Sequence, residues 1–418
     1  MKNEVGDSAE EKSYSFFKKL VIVFIAIFVP KFFIRYENSE LVKKTNAPIM
    51  FGLSSLVRDK KSMDLVKSAK IGVISDLSEP TGQTLPEVLL NERYSLQHVF
   101  LTEATEGELN WWRQRFSSVR KIGGDDFSKF RKECSDINLL VFDVQSLGIR
   151  SDVATNLLKN VMDISSELKI NLMILDAPNP LGGKIEGPGN VPLRHGITIG
   201  ELANYWNELE FGGKVALKIV PIKGWSRGEW APEFCRGGKD IGLSASIMSF
   251  IAPFFHVKPF SSFLETNEIG RGDLALMMPG SNKLSSWELS YLKDMLVANG
   301  VQSLSHFKKN IVGQKEILGL KICEVEQREG GDSFSAFLKA MRFFSNRKTI
   351  SVDYDNCFDQ FVGATSVRET LQGKKTFKDL KDEIEKSQIS FMKNVGPYLL
   401  YSPAPYQAPM GKIRVSRV

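Results

Sequence analysis

Short apolar runs that each end in a polar residue recur along the first half of the chain. Four of them lie at residues 71–76, 97–103, 138–143 and 172–176. Between the third and the fourth, residues 153–168 carry apolar side chains at helical spacing. Strands that alternate with helices indicate βαβ units, so we predict an α/β domain with a parallel sheet.

The residues that end these four runs carry carboxylates: Asp76, Glu103, Asp143 and Asp176. In open α/β sheets a ligand binds beyond the carboxyl ends of the strands, at the point where the strand order reverses. We therefore expect the four carboxylates to gather along one edge of the sheet and to mark a site there.

The second half of the chain is less regular at first. A loop-rich stretch with several prolines and short strands extends from Pro221 to about Pro279. Regular spacing then predicts helices at residues 285–297, 333–344, 365–371 and 377–393 and a strand at residues 321–325. From this change we predict a first domain over residues 49–215 and a smaller C-terminal α/β domain over residues 216–418.

The first 48 residues form a polar tail followed by an apolar segment. Two lysines precede the run Leu20–Val29, and a shorter apolar run follows Lys31. Because no small-x-small cleavage site follows, the pattern favours an uncleaved signal anchor. We predict that this segment holds the chain at the cell membrane, with its bulk outside the cytoplasm, in the periplasm or at the cell surface. A buried core helix and an interfacial helix are the alternatives.

Composition narrows the classes of function. Of the 418 residues 42% are hydrophobic, which is enough for a large core. The 55 basic and 49 acidic residues are mixed along the chain, so nucleic-acid binding is not predicted. The four cysteines form no CxxC pair and no glycine-rich phosphate loop follows a strand, so neither a metal nor a cofactor is predicted. The absence of GxSxG and HExxH argues against an esterase or a zinc protease.

The densest polar segment runs from Leu175 to Glu201. Two prolines and three glycines fix tight turns, which hold Asp176 and Asn179 in place directly after a strand. Arg194 and His195 follow in the same segment, where the histidine is either a functional group or a structural hydrogen-bonding residue.

Thr198 and Glu201 at the end of this segment have a simpler interpretation. A helix is expected to begin near residue 200, and threonine is a favoured residue at the N-cap. Glu201 then lies in the first helical turn, where a negative charge is stabilising. We therefore expect the two residues to cap this helix.

A second polar group lies at residues 141–150. A buried strand delivers Asp143, and the turn that follows presents Gln145 and Arg150. Arginine is suited to bidentate carboxylate recognition. The alternative is an internal salt bridge between Asp143 and Arg150 that only ties the loop.

A third polar group lies at residues 263–273. Glu265 and Asn267 share one face of an extended segment, and two glycines flank Arg271 so that the backbone can approach a ligand. The alternative is a tight polar turn without a ligand.

Taken together, the three groups resemble the NamZ/YbbC-type family of exo-β-N-acetylmuramidases. The family's FD-x-Q-x-x-G-x-R turn is matched at residues 142–150, and its D-x-PNP-x-GG motif is matched at residues 176–183. Its EGP and P-x-RHG-x-T-x-GE motifs follow at residues 186–188 and 192–201. Looser matches continue to residue 401, so the resemblance extends from about residue 50 to the end of the chain.

The resemblance implies a Rossmann-like domain joined to a smaller α/β domain, with the site in the cleft between them. It also implies the removal of β-linked N-acetylmuramic acid from the non-reducing ends of peptidoglycan fragments. The family's catalytic glutamate, in a PEHG motif after the second strand, corresponds to Glu103. This chain departs from that motif with Thr102, Ala104 and Thr105, and its segment 106–121 is shorter than the family's loop.

Two functions follow from this comparison. As a glycosidase, the chain would use Glu103 as general acid or base, with Asp143, Asp176 or Glu265 as the second carboxylate. Arg150 or Arg271 would then hold the lactyl carboxylate of muramic acid. The full set of predicted substrate-binding residues is Gln145, Arg150, Asn179, Arg194, His195, Glu265, Asn267 and Arg271. The alternative is a catalytically impaired cell-wall sugar-binding protein of the same fold. A nucleotide-dependent enzyme rests on fold analogy alone.

Overall fold

A computed structural model describes most of the chain from residue 49 onwards. The described ranges are 49–77, 83–102, 104–122, 127–227, 238–258, 264–265, 274–277, 285–309, 317–325, 332–346, 352–402 and 405–407. The predicted membrane segment within residues 1–48 lies outside them. Residues Ile49–Val418 form one compact unit. A search of the described helices finds none with the length and apolar character needed to cross a membrane.

A six-stranded parallel sheet organises the first half of this unit. Its strands are β1 Ile71–Ser75, β2 Leu96–Leu101, β3 Val119–Lys121, β4 Leu139–Asp143, β5 Asn171–Leu175 and β7 Leu217–Val220, and the two-residue strand β6 Lys184–Ile185 lies outside the sheet. The spatial order is β3-β2-β1-β4-β5-β7. All neighbours pair in parallel, which confirms the predicted α/β architecture. The order reverses between β1 and β4.

Helices connect these strands. They are α1 Gly52–Leu56, α2 Lys60–Ser68, α3 Leu85–Asn91, α4 Glu106–Arg113, α5 Phe127–Glu133, α6 Val153–Leu168 and α7 Ile199–Leu209. The prediction of a helix over residues 153–168 is confirmed, and Asp152 caps it by accepting from the Thr155 amide at 2.6 Å. The capping role predicted for Thr198 and Glu201 is also confirmed, because they form a capping box at the start of α7.

The second half combines helices with a smaller antiparallel sheet. Its helices are α8 Gly238–Ile251, α9 Ser286–Val297, α10 Ser333–Ser345, α11 Phe358–Val362, α12 Thr365–Leu371 and α13 Phe377–Val395. Strands β9 Leu264–Glu265, β10 Leu274–Met277, β11 Val301–Lys309 and β12 Ile317–Val325 pair in the order β11-β12-β10-β9. Strands β8 Val257–Lys258 and β13 Asp353–Tyr354 form a separate pair, and β14 Tyr406–Gln407 pairs with β6.

The loop-rich prediction for residues 221–279 is wrong at α8, a helix of 14 residues. The polar residues of α8 are spread around the helix in the sequence and do not form one stripe, so the alternation of faces that identifies an amphipathic helix is weak there. The predicted domain boundary near residue 215 stays a prediction. Strand β7 continues the parallel sheet from Leu217 to Val220.

Apolar side chains cover both faces of the parallel sheet. Val73 and Val141 pack in one cluster, and Ile74 and Phe142 pack in another on the opposite face. Successive residues of a strand point to opposite faces, so a sheet covered on both sides needs continuous apolar strands. Phe391 of α13 joins the second cluster, which packs the end of the chain against the first half.

Candidate functional site

The carboxyl ends of the central strands bring the predicted polar residues to one edge of the sheet. Ser75 of β1 is in register with Asp143 of β4, on either side of the point where the strand order reverses. Asp76 follows β1, and its Oδ2 accepts from the Gln145 amide at 2.7 Å. The expected gathering of side chains is therefore found for these two strands.

Glu103 lies outside the described residues, but the end of strand β2 locates the chain directly before it. The amide of Thr102 donates to the carbonyl of Ser75 at 3.1 Å, so β2 ends beside β1. Thr102 is 5% exposed. Strand β2, which directly precedes residue 103 in the sequence, thus ends at the same edge of the sheet that carries Asp143.

The turn after β4 is fixed by contacts with the segment after β5. Gln145 Nε2 donates to the carbonyl of Pro178 at 3.1 Å and to that of Ser146 at 2.8 Å. Gly148 has a φ of +80°, and a Cβ built there would lie 2.1 Å from Asn179 Oδ1. Glycine at this position therefore permits both the left-handed backbone and the close approach of the two loops.

Arg150 ties this turn to the second half of the chain. Its Nη1 donates to the carbonyl of Val191 at 2.9 Å, and its Nη2 donates to the carbonyl of Phe361. Desolvation by burial lowers the pKa of Arg150 to about 10. These contacts differ from the alternative of an Asp143–Arg150 salt bridge, because the guanidinium group bonds to main-chain carbonyls.

Asp176 is the centre of a buried hydrogen-bond network. Its Oδ1 accepts from the amides of Ala177 at 3.1 Å and Gly200 at 2.9 Å. Its Oδ2 accepts from the hydroxyls of Thr198 at 2.8 Å and Tyr401 at 2.7 Å. The carboxylate is 0% exposed, so in this structure it joins strand β5, the start of α7 and the C-terminal segment.

Glu201 anchors the same C-terminal segment through the main chain. Its Oε1 accepts from the amides of Leu400 at 2.8 Å and Tyr401 at 3.1 Å. The guanidinium group of Arg227 forms an ion pair with Glu201 and donates to the carbonyl of Gly196 at 2.7 Å. Both side chains of the pair are fully buried.

Arg194 belongs to a second buried ionic group. It pairs with Glu186 at 3.1 Å, and Lys184 pairs with the same carboxylate at 2.8 Å. These two cations, together with hydrogen bonds, outweigh burial and hold the pKa of Glu186 at about 2. Ser333 also donates to Glu186, and the Phe334 amide donates at 3.2 Å, which binds the loop to the start of α10.

His195 is buried and neutral. Its Nδ1 accepts from the Ile197 amide at 3.3 Å, so the ring proton of the neutral form lies on Nε2. Desolvation lowers the pKa of His195 to about 3, and the nearby charge of Arg227 adds to this effect. Asn179 holds the same turn through its Nδ2, which donates to the carbonyl of Ile197 at 2.9 Å.

Comparisons with known proteins agree with this arrangement. The family model for the N-terminal part of the exo-β-N-acetylmuramidase NamZ matches residues 83–236. The peptidoglycan β-N-acetylmuramidase NamZ of Bacillus subtilis is 26% identical over 389 residues, which cover 84% of this chain and 91% of that protein. These matches support a NamZ-type family member.

Two solved structures share the fold of this chain. Both are DUF1343 family proteins from Bacteroides fragilis, with TM-scores of 0.66 and 0.58. They are 19% and 17% identical to the chain, and each likeness covers 85% of this chain and 99% of the other. At this level of identity they establish the fold alone.

The loops around the carboxyl edge are built on side chains that bond within the protein. Asp176, Asn179, Arg194 and His195 are each at most 5% exposed. In this structure they position the loops around the carboxyl edge, and their contact with substrate stays a prediction. Glu265 is described only as part of β9, and Asn267 and Arg271 lie outside the described residues. In the described part of the chain, no group of three His, Cys, Asp or Glu side chains could hold a metal ion.

Sequence reasoning missed two residues of this network. Arg227 lies in an irregular segment, and no motif marked it as the partner of Glu201. Tyr401 lies at the end of the looser C-terminal matches, which give no sign that its hydroxyl donates to Asp176. A buried acid directly after a strand is the one available signal, because such a group requires partners from elsewhere in the chain.

We predict opposite pH dependence for two variants of this network. Burial and the charge of Glu201 raise the pKa of Asp176 from its ordinary value of 3.8 to about 6. Between these pH values the folded chain therefore holds a proton on Asp176 that the unfolded chain has lost. Between pH 3 and 6.5 the folded chain instead lacks a proton on His195 that the unfolded chain carries. Stability contributed by Asp176 therefore rises as the pH falls through its window, whereas that contributed by His195 declines.

Between pH 6 and 4 the two effects oppose each other in the unmodified chain. Measured as the difference from the unmodified chain at the same pH, Asp176→Asn should lose stability as the pH falls, and His195→Gln should gain it, each by up to about 1.4 kcal/mol per pH unit. Urea unfolding followed by tryptophan fluorescence measures both slopes. Slopes of the same sign in the two variants would contradict the assignment.

Proposed function

We propose that this chain is an exo-β-N-acetylmuramidase that removes β-linked N-acetylmuramic acid from the non-reducing ends of peptidoglycan fragments. The observation that carries the proposal is the meeting of β1, β2 and β4 at one edge. Strand β2, which precedes Glu103 in the sequence, ends there beside β1. Asp143 is the last residue of β4, which lies on the other side of β1. Similarity to the Bacillus subtilis NamZ over most of both chains supports the same activity.

In the proposed mechanism Glu103 is the general acid or base at the glycosidic oxygen. Hydrolysis requires a second carboxylate for water activation or for covalent attack. Asp143, which ends β4 at the same edge, is the proposed second carboxylate. Asp176 instead accepts four hydrogen bonds within the protein and joins three parts of the fold. The interlocked loops after β4 and β5 then hold the walls of the site in a fixed geometry.

A chromogenic muramic-acid glycoside tests the proposal directly. The full chain should release the chromophore together with N-acetylmuramic acid, and it should not act on the matching N-acetylglucosamine glycoside. Binding of the muramic-acid glycoside without turnover would instead support the catalytically impaired sugar-binding protein. That alternative is motivated by Thr102, Ala104 and Thr105, which replace the family's residues around Glu103.

We also propose that the apolar segment at residues 16–34 holds the protein at the outer side of the cytoplasmic membrane. Its run of apolar residues and the lack of a cleavage site after it support this location. The full chain should remain with membranes after a high-salt wash, and deletion of residues 16–34 should release it. Recovery of the full chain in the soluble fraction would refute the proposal.

A further inference from the structure

A concave surface lies on helix α4, which follows strand β2 and the position of Glu103. Among the described residues this cavity of about 390 Å³ is lined by Gly107, Glu108, Trp111 and Trp112. Trp112 is 3% exposed and packs in the core, whereas Trp111 is 40% exposed. The helix therefore buries the indole of Trp112 and exposes that of Trp111 to solvent beside the cavity.

Gly107 keeps this space open. A Cβ built at Gly107 would meet only Thr105 Oγ1, at 3.9 Å, so the fold does not exclude a side chain there. Glycine is entropically unfavourable in a helix, and its φ here is not in the left-handed region that would require it. Because helical side chains lean towards the preceding turn, the missing side chain at residue 107 leaves room beside the ring of Trp111.

The ring of Trp111 is held in place by its neighbours. The guanidinium carbon of Arg115 lies 3.5 Å from the ring centroid, and Arg115 Nη1 donates to the Trp111 carbonyl at 2.9 Å. Trp112 contacts the ring edge-on, with centroids 5.1 Å apart. An indole that is already ordered loses little conformational entropy when a ligand stacks on it.

Size and position indicate the kind of ligand. A cavity of this volume suits a small molecule, and it is far smaller than a protein interface. Helix α4 begins three residues after Glu103, and Trp111 lies about 8 Å along its axis from the first residue, at 1.5 Å per residue. A ligand on Trp111 would thus lie within reach of a molecule bound at the carboxyl edge of the sheet.

We propose that this cavity binds a sugar ring on the leaving-group side of the scissile bond, with Trp111 as its stacking platform. The proposal rests on the proposed function. A pyranose ring presents an apolar face of C–H groups, which packs on an aromatic ring, while its hydroxyls remain at the rim. An exo-acting enzyme encloses the terminal sugar, so a second sugar lies on a more open surface such as this one.

The test compares two substrates of the full chain. The chromogenic muramic-acid glycoside has no second sugar, whereas the disaccharide of N-acetylmuramic acid and N-acetylglucosamine has one. Trp111→Ala should lower the ratio of kcat/KM for the disaccharide to that for the chromogenic glycoside by roughly 5- to 100-fold, by analogy with the range found for a nucleobase stacked on an aromatic side chain. Trp111→Phe should restore part of the ratio.

Two further variants separate this role from a structural one. Gly107→Leu should fill the cavity and lower the same ratio without lowering Tm, because leucine is the better helix former. Trp287→Ala removes another exposed indole, 68% exposed on α9, and should leave the ratio within twofold of the unmodified chain. An unchanged ratio in Trp111→Ala, or an equal loss in Trp287→Ala, overturns the proposal.

The two proposals fail in different ways. If the full chain hydrolyses neither substrate, the proposed function fails, and disaccharide binding is measured by calorimetry instead. A weaker affinity in Trp111→Ala than in Trp287→Ala would then still support the cavity as a sugar site. Absence of disaccharide binding by the unmodified chain would overturn both.

Discussion

Replacing Glu103 with glutamine should lower kcat/KM for the chromogenic muramic-acid glycoside by roughly 10²- to 10⁴-fold, the usual contribution of a general acid or base. Glutamine preserves the size of the side chain and its capacity to hydrogen-bond, but it cannot transfer a proton. Glu103 directly follows β2 in the sequence, and the end of β2 lies beside that of β1, which also pairs with β4; this is the reason to expect the loss.

The measurement needs a control for charge and folding. Glu92→Gln changes an exposed glutamate at the end of α3, away from the carboxyl edge, and should retain full turnover. Thermal unfolding of Glu103→Gln should match that of the unmodified chain within a few degrees. A loss below tenfold would exclude Glu103 as the proton donor, and Asp143→Asn would then identify the carboxylate that carries the reaction.

The parallel sheet could be predicted because its signals are local. Each central strand is buried on both faces, so the apolar runs at residues 71–76 and 138–143 stand out in the sequence. The helices at residues 153–168 and 365–371 agree with the structure at both ends. In each case burial on one face imposes a helical period that is visible without knowledge of the partner.

Strand β3 and helix α4 were missed for the opposite reason. β3 has three residues, too few for a period to be visible, and it pairs only at the edge of the sheet. In α4 two adjacent tryptophans have different environments, one buried and one exposed. The sequence alone does not distinguish them, since the packing of the whole helix decides which one faces the core.

The sequence indicates that these polar residues are held rigidly, but it does not indicate their partners. Asp176 and Asn179 were expected to be held rigidly after a strand, and the structure shows how this is achieved. The hydroxyl of Tyr401, which is 225 positions from Asp176 in the sequence, donates one of the four hydrogen bonds to the carboxylate. Such pairs depend on the path of the whole chain, and no spacing rule within a short segment predicts them.

The buried pair of Glu201 and Arg227 links the loop after β5, helix α7 and the C-terminal segment. Arg227 donates to the carbonyls of Gly196 and Tyr401 as well as to Glu201. Glu201 in turn accepts from the main-chain amides of Thr198, at the start of α7, and Leu400, in the C-terminal segment. Because both side chains are 0% exposed, water cannot replace either partner.

Arg227→Met should therefore destabilise the protein by about 3–5 kcal/mol, the usual cost of leaving one charge of a buried pair uncompensated. Urea unfolding should show a lower midpoint at similar slope. Arg131→Met is the matched control, since Arg131 and its partner Glu167 are 43% and 51% exposed. An exposed pair of this kind contributes at most about 1 kcal/mol.

A double variant separates charge from packing. Glu201→Gln removes the buried charge and retains an acceptor for the amides of Leu400 and Tyr401. If the uncompensated carboxylate causes the loss, Arg227→Met combined with Glu201→Gln should be more stable than Arg227→Met alone, with a coupling energy of about 1–3 kcal/mol. Additive losses would show instead that Arg227 acts through its packing against Gly183 and its bonds to main-chain carbonyls. In that case the pair would be a consequence of the loop geometry and not its cause.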